Sequence, residues 1–537
     1  MPLIYLSLII WVIPLLLFHS DSLSMMAQDE AMYGIRARWM LESGDWITPM
    51  SWGELVYEKT PGYYWCLGLF YKVFGINEFS SRLPAQIACV LSILLTYEIA
   101  KILVGNKRIA WLSAAILAVS FLWFQGSSLA TANIPTVCIA LFGIWCLLKA
   151  ELSEKFRFYW SFSAGFSIGI GFLFRGQLIF LPFIGLLPYL ILKHRDRRHL
   201  TNPMLYLGFI FGLTPTIIWF YLSWQRHGQI VFDQFFALVS RITLEQRNNH
   251  SPLYYLWNIP LKAFPWPIFS LIGFFIVLRK RVGRKYNKLV LVGYPLIILI
   301  IISLVSTRLP HYALILYPFL AILAAIAVDW LGTIYEQRNL QGKGFVRNLS
   351  YAFGLLGVLL LTIGTAIYSG ILDIGNSEEL DIQKVSLIGI VLGSGWLSLP
   401  ILWFVRHHLK QKFLTANYWF AGLLVPCWLA IATAGGVGLI GNYNPDIKPF
   451  FQQKEVASVV KNQQINFVVR QTEALTTGGN KTLLLLTFYT PLWGQRYHQL
   501  SQLPSGSYAW VSPEFNLASE RYRSLGNFRQ WRLVSFK

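Results

Sequence analysis

Cysteine is scarce in this sequence and follows no recognisable pattern. Only five cysteines occur among 537 residues, and none lies in a CxxC pair or at a Cys/His spacing typical of zinc ligands. The sequence therefore predicts neither a disulfide framework nor a zinc ribbon. The five are Cys66, Cys89, Cys138, Cys146 and Cys427, all within or beside apolar segments.

Charged residues are also few. They make up 13% of the chain, whereas hydrophobic residues make up 55% and the mean hydropathy is +0.50. This balance excludes an ordinary soluble domain with a single globular core. Residues 1–19 are apolar but lack the basic start and the A-x-A cleavage site of a signal peptide, so they predict an uncleaved membrane helix.

Acidic residues are outnumbered, 25 against 45 Lys and Arg, which gives a net charge of +20. In a soluble protein this excess would indicate nucleic acid. Here the basic residues form short runs between apolar segments, as the orientation of membrane helices requires. We therefore interpret the charge as topology and predict no nucleic-acid partner.

Long apolar runs predict a polytopic α-helical membrane protein with about thirteen spans. The runs lie near 3–19, 84–103, 109–126, 133–149, 159–173, 177–192, 203–222, 262–278, 289–306, 312–331, 349–371, 385–405 and 418–440.

Basic runs follow every second span, at 101–108, 149–157, 193–198, 279–288, 338–347 and 406–412. Because Lys and Arg collect in cytoplasmic loops, this register predicts a cell-membrane protein with a cytoplasmic N-terminus. Two long connections, 20–83 and 223–261, then face outward.

The chain divides into a predicted transmembrane catalytic domain, 1–440, and an extracytoplasmic C-terminal domain, 441–537. The second is more polar and has strand-like runs at 482–489, 508–512 and 531–536, which predict a small α/β domain.

The first outer loop combines carboxylates, a lysine and aromatic residues. Transfer of a sugar to a hydroxyl needs a carboxylate to accept the proton, a role open to Asp29 or Glu30. A phosphate leaving group needs a cation, and Lys59 is suitably placed. The alternatives are a helix cap at Asp29 and an interfacial ion pair between Glu58 and Lys59.

Several motifs in this loop carry a family resemblance: DEAMY at 29–33, LESGDWITP at 41–49, YEKTP at 57–61 and GINEFSSRLP at 75–84. Together they resemble the first outer loop of bacterial GT-C glycosyltransferases, namely the aminoarabinose transferases and their protein mannosyltransferase relatives. The resemblance is strong over about 25–110 and looser to about 330. It implies a GT-C fold and a polyprenyl-phosphate-sugar donor.

The resemblance also implies roles for individual residues. Asp29 matches the general base or acceptor-orienting acid, with Glu30 and Tyr33 beside it. Glu58 is similar to a metal ligand and Lys59 to a phosphate contact. His250, in the segment 249–255, is similar to a second metal ligand, so the pair predicts an incomplete divalent site of unspecified metal. Without the resemblance, a solvated interfacial histidine is the alternative.

Two further segments resemble family turns that place a cation at the outer membrane edge: 306–312 with Arg308 and Tyr312, and 174–176 with Arg175. The partner that this implies for the two arginines is an anionic lipid phosphate, which Tyr33 would also contact. Snorkelling of Arg175 to ordinary headgroups is the alternative.

Three positions depart from the family pattern. Met32 replaces an Arg, Arg308 replaces a Lys, and Asn133 replaces an acidic residue. An amide can hold a hydroxyl but cannot take its proton, so Asn133 is expected to support the acceptor site and Asp29 to act as the only base.

These observations lead to one hypothesis. A sugar passes from a polyprenyl-phosphate donor to a lipid, glycan or protein acceptor at the outer membrane face, with inversion. A lipid-linked sugar flippase or transporter would also show many spans and cationic edges, but its ionisable residues should lie near the bilayer midplane. A non-catalytic scaffold is a third alternative.

Overall fold

The computed structural model describes residues 2–17, 23–192, 199–244, 250–279, 287–337, 342–372, 381–470, 480–517 and 521–536. It is mostly helical. The helices are Pro2–Leu17, Asp29–Ser43, Gly62–Phe74, Glu78–Val104, Lys107–Ala118, Phe121–Ser127, Asn133–Leu152, Arg157–Arg175, Phe180–Leu192, Pro203–His227, Ile230–Leu244, Tyr254–Lys262, Trp266–Arg279, Tyr294–Leu304, Tyr317–Glu336, Lys343–Tyr368, Ile382–Trp396, Ser398–His407, Ala416–Gly436, Ile447–Phe451, Lys454–Val460 and Lys481–Tyr489. Short 3-10 turns cover Gly176–Ile179, Pro310–Leu316 and Leu500–Gln502, and a π turn covers Leu289–Gly293.

The predicted membrane helices are present. Among the described residues, eight helices are long and apolar enough to span a bilayer, or ten when two bent pairs each count as one span. The bent pairs are Lys107–Ala118 with Phe121–Ser127, at 65°, and Tyr254–Lys262 with Trp266–Arg279, at 113°. Two shorter apolar helices, Pro2–Leu17 and Leu289–Leu304, account for two more of the predicted runs. The polytopic fold class is confirmed.

The stretch Arg157–Leu192 contains two helices joined by the 3-10 turn Gly176–Ile179. The chain reverses at this turn, as the two predicted runs require. Gly176 has φ of +59°, which ends the first helix at Arg175. Beyond the turn, the Tyr189 hydroxyl donates to Glu151, in the last turn of the Asn133–Leu152 helix. The side chain of Arg175 therefore lies at the end of the bundle opposite to Glu151.

The basic runs that the structure describes meet at one end of the bundle, called here the basic end. Glu98 contacts Lys101 at 2.9 Å and Lys149 at 4.0 Å. Arg108 contacts Asp329 at 3.4 Å, and Arg406 donates to the carbonyl oxygen of Glu336. This clustering agrees with the predicted register, although the run 193–198 and residues 280–286 and 338–341 of two further runs lie outside the described residues.

The first outer loop, at the other end, is an ordered structure. It contains the Asp29–Ser43 and Gly62–Phe74 helices and a two-stranded hairpin, β1 (Met50–Ser51) with β2 (Glu54–Leu55). Asn77 caps the next helix by accepting from the Ser80 amide, so that helix begins at Glu78, six residues before the predicted apolar run. The loop thereby forms a platform above the membrane helices.

The C-terminal region forms a five-stranded mixed sheet, whose strands are β3 Ile465–Val468, β4 Trp493–Tyr497, β5 Tyr508–Val511, β6 Tyr522–Phe528 and β7 Trp531–Phe536. The strand order is β4-β3-β5-β7-β6. Strand β3 pairs in parallel with β4 and β5, whereas β7 pairs antiparallel with β5 and β6. The small α/β unit is confirmed, while its boundary at 440/441 stays a prediction.

One strand prediction was wrong. Residues 482–489 lie in the helix Lys481–Tyr489, capped by Asn480, which accepts from the amides of Thr482 and Leu483. All side chains from Leu483 to Phe488 are buried. Periodicity cannot distinguish a short buried helix from a buried strand, and the runs at 508–512 and 531–536 do form strands as predicted.

The C-terminal unit packs directly on the loop helix Asp29–Ser43. Arg38, 3% exposed, donates to the carbonyl oxygens of Thr490 at 2.7 Å and of Pro491. Its guanidinium lies 3.9 Å from the ring centroid of Trp493. A buried arginine that satisfies backbone carbonyls fixes the orientation of both segments, so the C-terminal helix is held against the loop.

Candidate active site

A cavity of about 530 Å³ lies between the loop platform and the membrane helices, at the end opposite to the basic end. Six segments that are distant in sequence line it, together with one residue of the C-terminal unit, Leu484. The lining includes Gln28, Asp29, Met32, Tyr33, Glu58, Lys59, Thr60, Thr131, Asn133, Phe174, Arg175, Gly176, Gln177, Leu178, Phe235, Leu238, Thr307, Leu309, Pro310, His311 and Tyr312. Seven of the ten predicted site residues are among them.

Two cations converge on one tyrosine in this cavity. Tyr33 lies one helical turn after Asp29, so both face the same side of their helix. The Lys59 Nζ atom is 4.4 Å from the Tyr33 ring centroid, and Arg175 Nη1 donates to the Tyr33 hydroxyl at 3.2 Å. This arrangement concentrates positive charge at a wall that also carries the half-buried carboxyl group of Asp29.

Lys59 is electrostatically perturbed. Burial, together with the nearby charges of Arg175 and Arg36, lowers the pKa of Lys59 to about 8. Desolvation disfavours the ammonium form, and an anion brought beside it would restore that form. The site is therefore suited to bind a phosphate, which supplies the missing negative charge.

Glu58 also lines the cavity, but its side chain is only 3% exposed and lies beside a buried cation. Arg36 Nη2 is 3.8 Å from Glu58 Oε2, and Arg36 Nη1 donates to the Tyr64 hydroxyl at 2.9 Å. The guanidinium compensates the charge of Glu58 and holds it at the cavity wall.

Glu30 has a different environment from its neighbour Asp29. Its side chain is fully buried, is absent from the cavity lining, and accepts from Arg82 Nε and Nη2, both at 2.8 Å. It also accepts from the backbone amides of Met26 and Ala130 at 2.7 Å. These four hydrogen bonds engage both carboxylate oxygens, so the geometry favours a structural role; the catalytic role stays a prediction.

Arg308 and His250 lie outside the cavity lining. Arg308 Nη1 donates to the His250 carbonyl oxygen at 2.7 Å, and Arg308 Nε donates to that of Ser303 at 3.1 Å. The His250 ring stacks on Tyr254 at 4.3 Å. Arg308 therefore joins two outer segments through their backbones, and its phosphate contact stays a prediction.

A second, mostly apolar cavity of about 250 Å³ adjoins the first. The two share six residues, including Asn133, Arg175, His311 and Tyr312, and the second continues between membrane helices past Val137, Ile184 and Ile302. Asn133 Nδ2 donates to Thr131 Oγ1 at 3.1 Å. A polar chamber that opens into an apolar groove matches a ligand with a charged head and a hydrocarbon chain.

The described residues do not by themselves fit a metal ion. No three or more of their His, Cys, Asp or Glu side chains are grouped to hold one. Of the predicted pair, Glu58 faces the cavity beside Arg36, whereas the ring of His250 stacks on Tyr254. A guanidinium this close already compensates the charge that a dication would need.

Three residues in or beside the site were not predicted as site residues: Arg36, Arg82 and His311. A weak signal was present for Arg36, which follows Tyr33 by three positions and so lies on the same helix face. Arg82 is identifiable only through its contact with Glu30, 52 positions away. His311 sits within a recognised turn, but the sequence pointed to the cation two positions after Ser306 and not to the histidine.

Sequence comparison connects the chain to lipid-dependent sugar transferases. Residues 58–221 match the family described as dolichyl-phosphate-mannose-protein mannosyltransferase. An arabinosyl transferase from Yersinia enterocolitica, named for undecaprenyl phosphate-α-4-amino-4-deoxy-L-arabinose, is 27% identical over 390 residues, 68% of this chain and 66% of the relative. Its counterpart from Pectobacterium atrosepticum is 26% identical over 438 residues, 78% of this chain and 73% of the relative.

The fold matches as well. The crystal structure of ArnT from Cupriavidus metallidurans bound to undecaprenyl phosphate superimposes with a TM-score of 0.73 at 18% identity, covering 99% of this chain and 96% of that one. The chain therefore has the GT-C fold and resembles the aminoarabinose transferases in sequence.

Coverage of the relatives is incomplete. An uncharacterised Aquifex aeolicus protein, 28% identical over 342 residues, is matched over 65% of its length. The chain thus spans about two thirds of that relative and of the Yersinia one. Its apolar helices of spanning length and its similarity to these transferases support a multi-pass membrane protein.

Proposed function

We propose that this protein is a glycosyltransferase that moves a sugar from a polyprenyl-phosphate donor to an acceptor hydroxyl at the outer face of the membrane. The observation that carries the proposal is the convergence of Lys59 and Arg175 on Tyr33 in a cavity that Asp29 also lines. The names of the relatives and the undecaprenyl phosphate bound by the structural neighbour support the donor class.

The donor would occupy both cavities. Its phosphate would lie beside Lys59 and Arg175, and the first isoprene units would follow the apolar groove past Val137 and Ile184. The groove lies between membrane helices, so the lipid could enter laterally from the bilayer. The sugar would then project toward Asp29.

The reaction would be a single displacement. The acceptor oxygen attacks the anomeric carbon while the bond from that carbon to the phosphate oxygen breaks, and the acceptor proton passes to the Asp29 carboxylate. Attack opposite to the leaving phosphate inverts the anomeric centre. General base catalysis of this kind contributes about 10²- to 10⁴-fold.

The cations would act on the leaving group. Negative charge grows on the polyprenyl phosphate as the bond breaks, and Lys59 with Arg175 would stabilise it in the desolvated chamber. Glu58, compensated by Arg36, would keep the wall in place. No step here passes through a metal ion, since the described residues do not fit one.

The site lies at the end opposite to the basic end, which supports an outer active site, a cytoplasmic N-terminus and an extracytoplasmic C-terminal unit. Leu484 of that unit lines the cavity. The unit would therefore contact the acceptor, whether lipid, glycan or protein.

The test is release of free polyprenyl phosphate from a panel of lipid-phosphate sugars in liposomes supplied with native membrane extract. We expect one donor to be consumed by the wild type, and its turnover to fall at least about 10²-fold in Asp29→Asn. Glu154→Gln, which changes an exposed carboxylate outside the cavity, is the control. Unchanged turnover in Asp29→Asn would refute the base assignment, and lipid crossing the bilayer without consumption would indicate a flippase.

A further inference from the structure

A separate groove of about 480 Å³ lies at the basic end of the bundle. It runs between the Pro2–Leu17, Lys107–Ala118 and Ala416–Gly436 helices. The apolar part of its lining comprises Ile4, Trp11, Trp111, Leu112, Phe420, Ala421, Leu424 and Val425. None of these residues lines the active-site cavity.

The groove is far from the active site. It begins next to Lys107, immediately after the Glu78–Val104 helix, whose other end carries Arg82 below the active-site loop. That helix has 27 residues, which corresponds to about 40 Å at 1.5 Å per residue. A ligand here would therefore lie in the membrane leaflet opposite to the catalytic cavity.

Positive charge is placed at one end of the groove. Lys107 and Arg108 both line it and both are exposed. The Arg108 guanidinium is fixed by three contacts: it lies 4.6 Å from the Phe420 ring centroid, 3.4 Å from Asn417 Oδ1 and 3.4 Å from Asp329 Oδ1. Asp329 compensates Arg108, so Lys107 supplies the net charge.

The rest of the groove is hydrocarbon-like and faces the bilayer. Val425 in its wall is 39% exposed, and nearby Ile10 and Leu429 are 62% and 43% exposed. The indole nitrogens of Trp11 and Trp111 already donate to Ala115 O and Ser7 Oγ. The groove thus offers apolar contact along its length and hydrogen-bond donors only at its charged end.

We propose that this groove binds an anionic phospholipid of the leaflet at the basic end. An acyl chain would lie against the tryptophans and Leu424, and the headgroup phosphate would be bound by Lys107, with Asn417 Nδ2 and Arg108 as further donors. Opposite charges and the amphiphilic shape select this occupant over a zwitterionic lipid, because cations near a membrane surface attract anionic headgroups.

The experiment is native mass spectrometry of the full-length protein released from liposomes of equal parts phosphatidylglycerol and phosphatidylcholine. The wild type should retain phosphatidylglycerol preferentially. In Lys107→Gln/Arg108→Gln we expect the ratio of bound phosphatidylglycerol to phosphatidylcholine to fall about fivefold or more. The matched control is Lys410→Gln/Lys412→Gln, which removes the same charge at the same end outside the groove.

A second variant tests the groove without changing its charge. Ala421→Phe places a ring in the groove wall and should also reduce bound phosphatidylglycerol while Lys107 and Arg108 remain. The proposal is overturned if the Lys107/Arg108 variant keeps the wild-type ratio, if the control variant loses as much, or if Ala421→Phe binds as the wild type does.

Discussion

At the scale of single residues, neighbouring carboxylates have separate environments. Asp29 faces the cavity, half-buried, whereas the carboxylate of Glu30 accepts four hydrogen bonds in the interior. Because consecutive helix positions point about 100° apart, only one of two adjacent acids can face a given site. Of the two acids in the DEAMY motif, Asp29 thus lines the cavity and Glu30 is a buried structural residue.

The buried ion pair of Glu30 with Arg82 should contribute measurably to stability. Glu30→Gln should lower the free energy of unfolding by about 3–5 kcal/mol, because it leaves the buried Arg82 guanidinium without the charge of Glu30. Thermal unfolding in detergent measures this, with Glu154→Gln as the exposed control. A Glu30→Gln protein that melts like the wild type but has no turnover would instead assign Glu30 to catalysis.

Lys59 makes donor binding depend on pH. Its pKa of about 8 means that the ammonium is present below pH 8 and lost above it, so attraction for the donor phosphate weakens as pH rises. We expect the KM for the donor to rise above pH 8, by up to about tenfold per pH unit. Steady-state kinetics from pH 6.5 to about 9.5 measure it.

Substitution of Lys59 distinguishes its titration from that of other groups. Lys59→Arg keeps its charge over the whole range and should remove the alkaline rise in KM. Lys72→Met, which changes an exposed lysine of the neighbouring helix, should keep the wild-type profile. An alkaline rise that persists in Lys59→Arg would show that another group titrates.

At the scale of elements, one helix pair is held at unusually close approach. The Arg157–Arg175 and Pro203–His227 helices run side by side, and a Cβ atom added at Gly165 would overlap the carbonyl oxygen of Leu205. The same holds for Gly208 and the carbonyl oxygen of Phe162. Small residues allow membrane helices to pack backbone to backbone, which positions Arg175 at the end of the first helix.

This packing predicts a steric cost. Gly165→Ala should destabilise the protein by about 1–3 kcal/mol, since neither backbone can yield without separating the helices. Gly436→Ala, where nothing lies within 4 Å of the added atom, is the control. Unfolding in detergent compares the two, and equal stability of both variants would contradict the close packing.

At the scale of the whole molecule, the charge distribution and the location of the site indicate the same orientation in the membrane. The basic runs meet at one end and the catalytic cavity lies at the other. If the basic end is cytoplasmic, the C-terminal sheet and the cavity face outward.

Labelling with a membrane-impermeant maleimide tests this orientation. In a cysteine-free background, Ser505→Cys in the C-terminal unit should react in intact spheroplasts, and Lys412→Cys at the basic end should react only after permeabilisation. Both positions are exposed. The reverse pattern would invert the topology and place the active site in the cytoplasm.

The sequence by itself determined the membrane class, the helical runs and the order of the loops, because hydropathy and charge act locally along the chain. Motifs and their order also indicated Asp29, Lys59 and Arg175 as site residues. The strand predicted at 482–489 was wrong, since a short buried run carries no decisive period.

Only the tertiary structure decided which of these side chains meet. The convergence of Lys59 and Arg175 on Tyr33, the burial of Glu30 with Arg82, and the position of Arg308 behind the cavity all depend on contacts between residues more than 20 positions apart. A local pattern identifies which groups can react. Long-range packing, which the local pattern does not encode, determines which of them face the cavity.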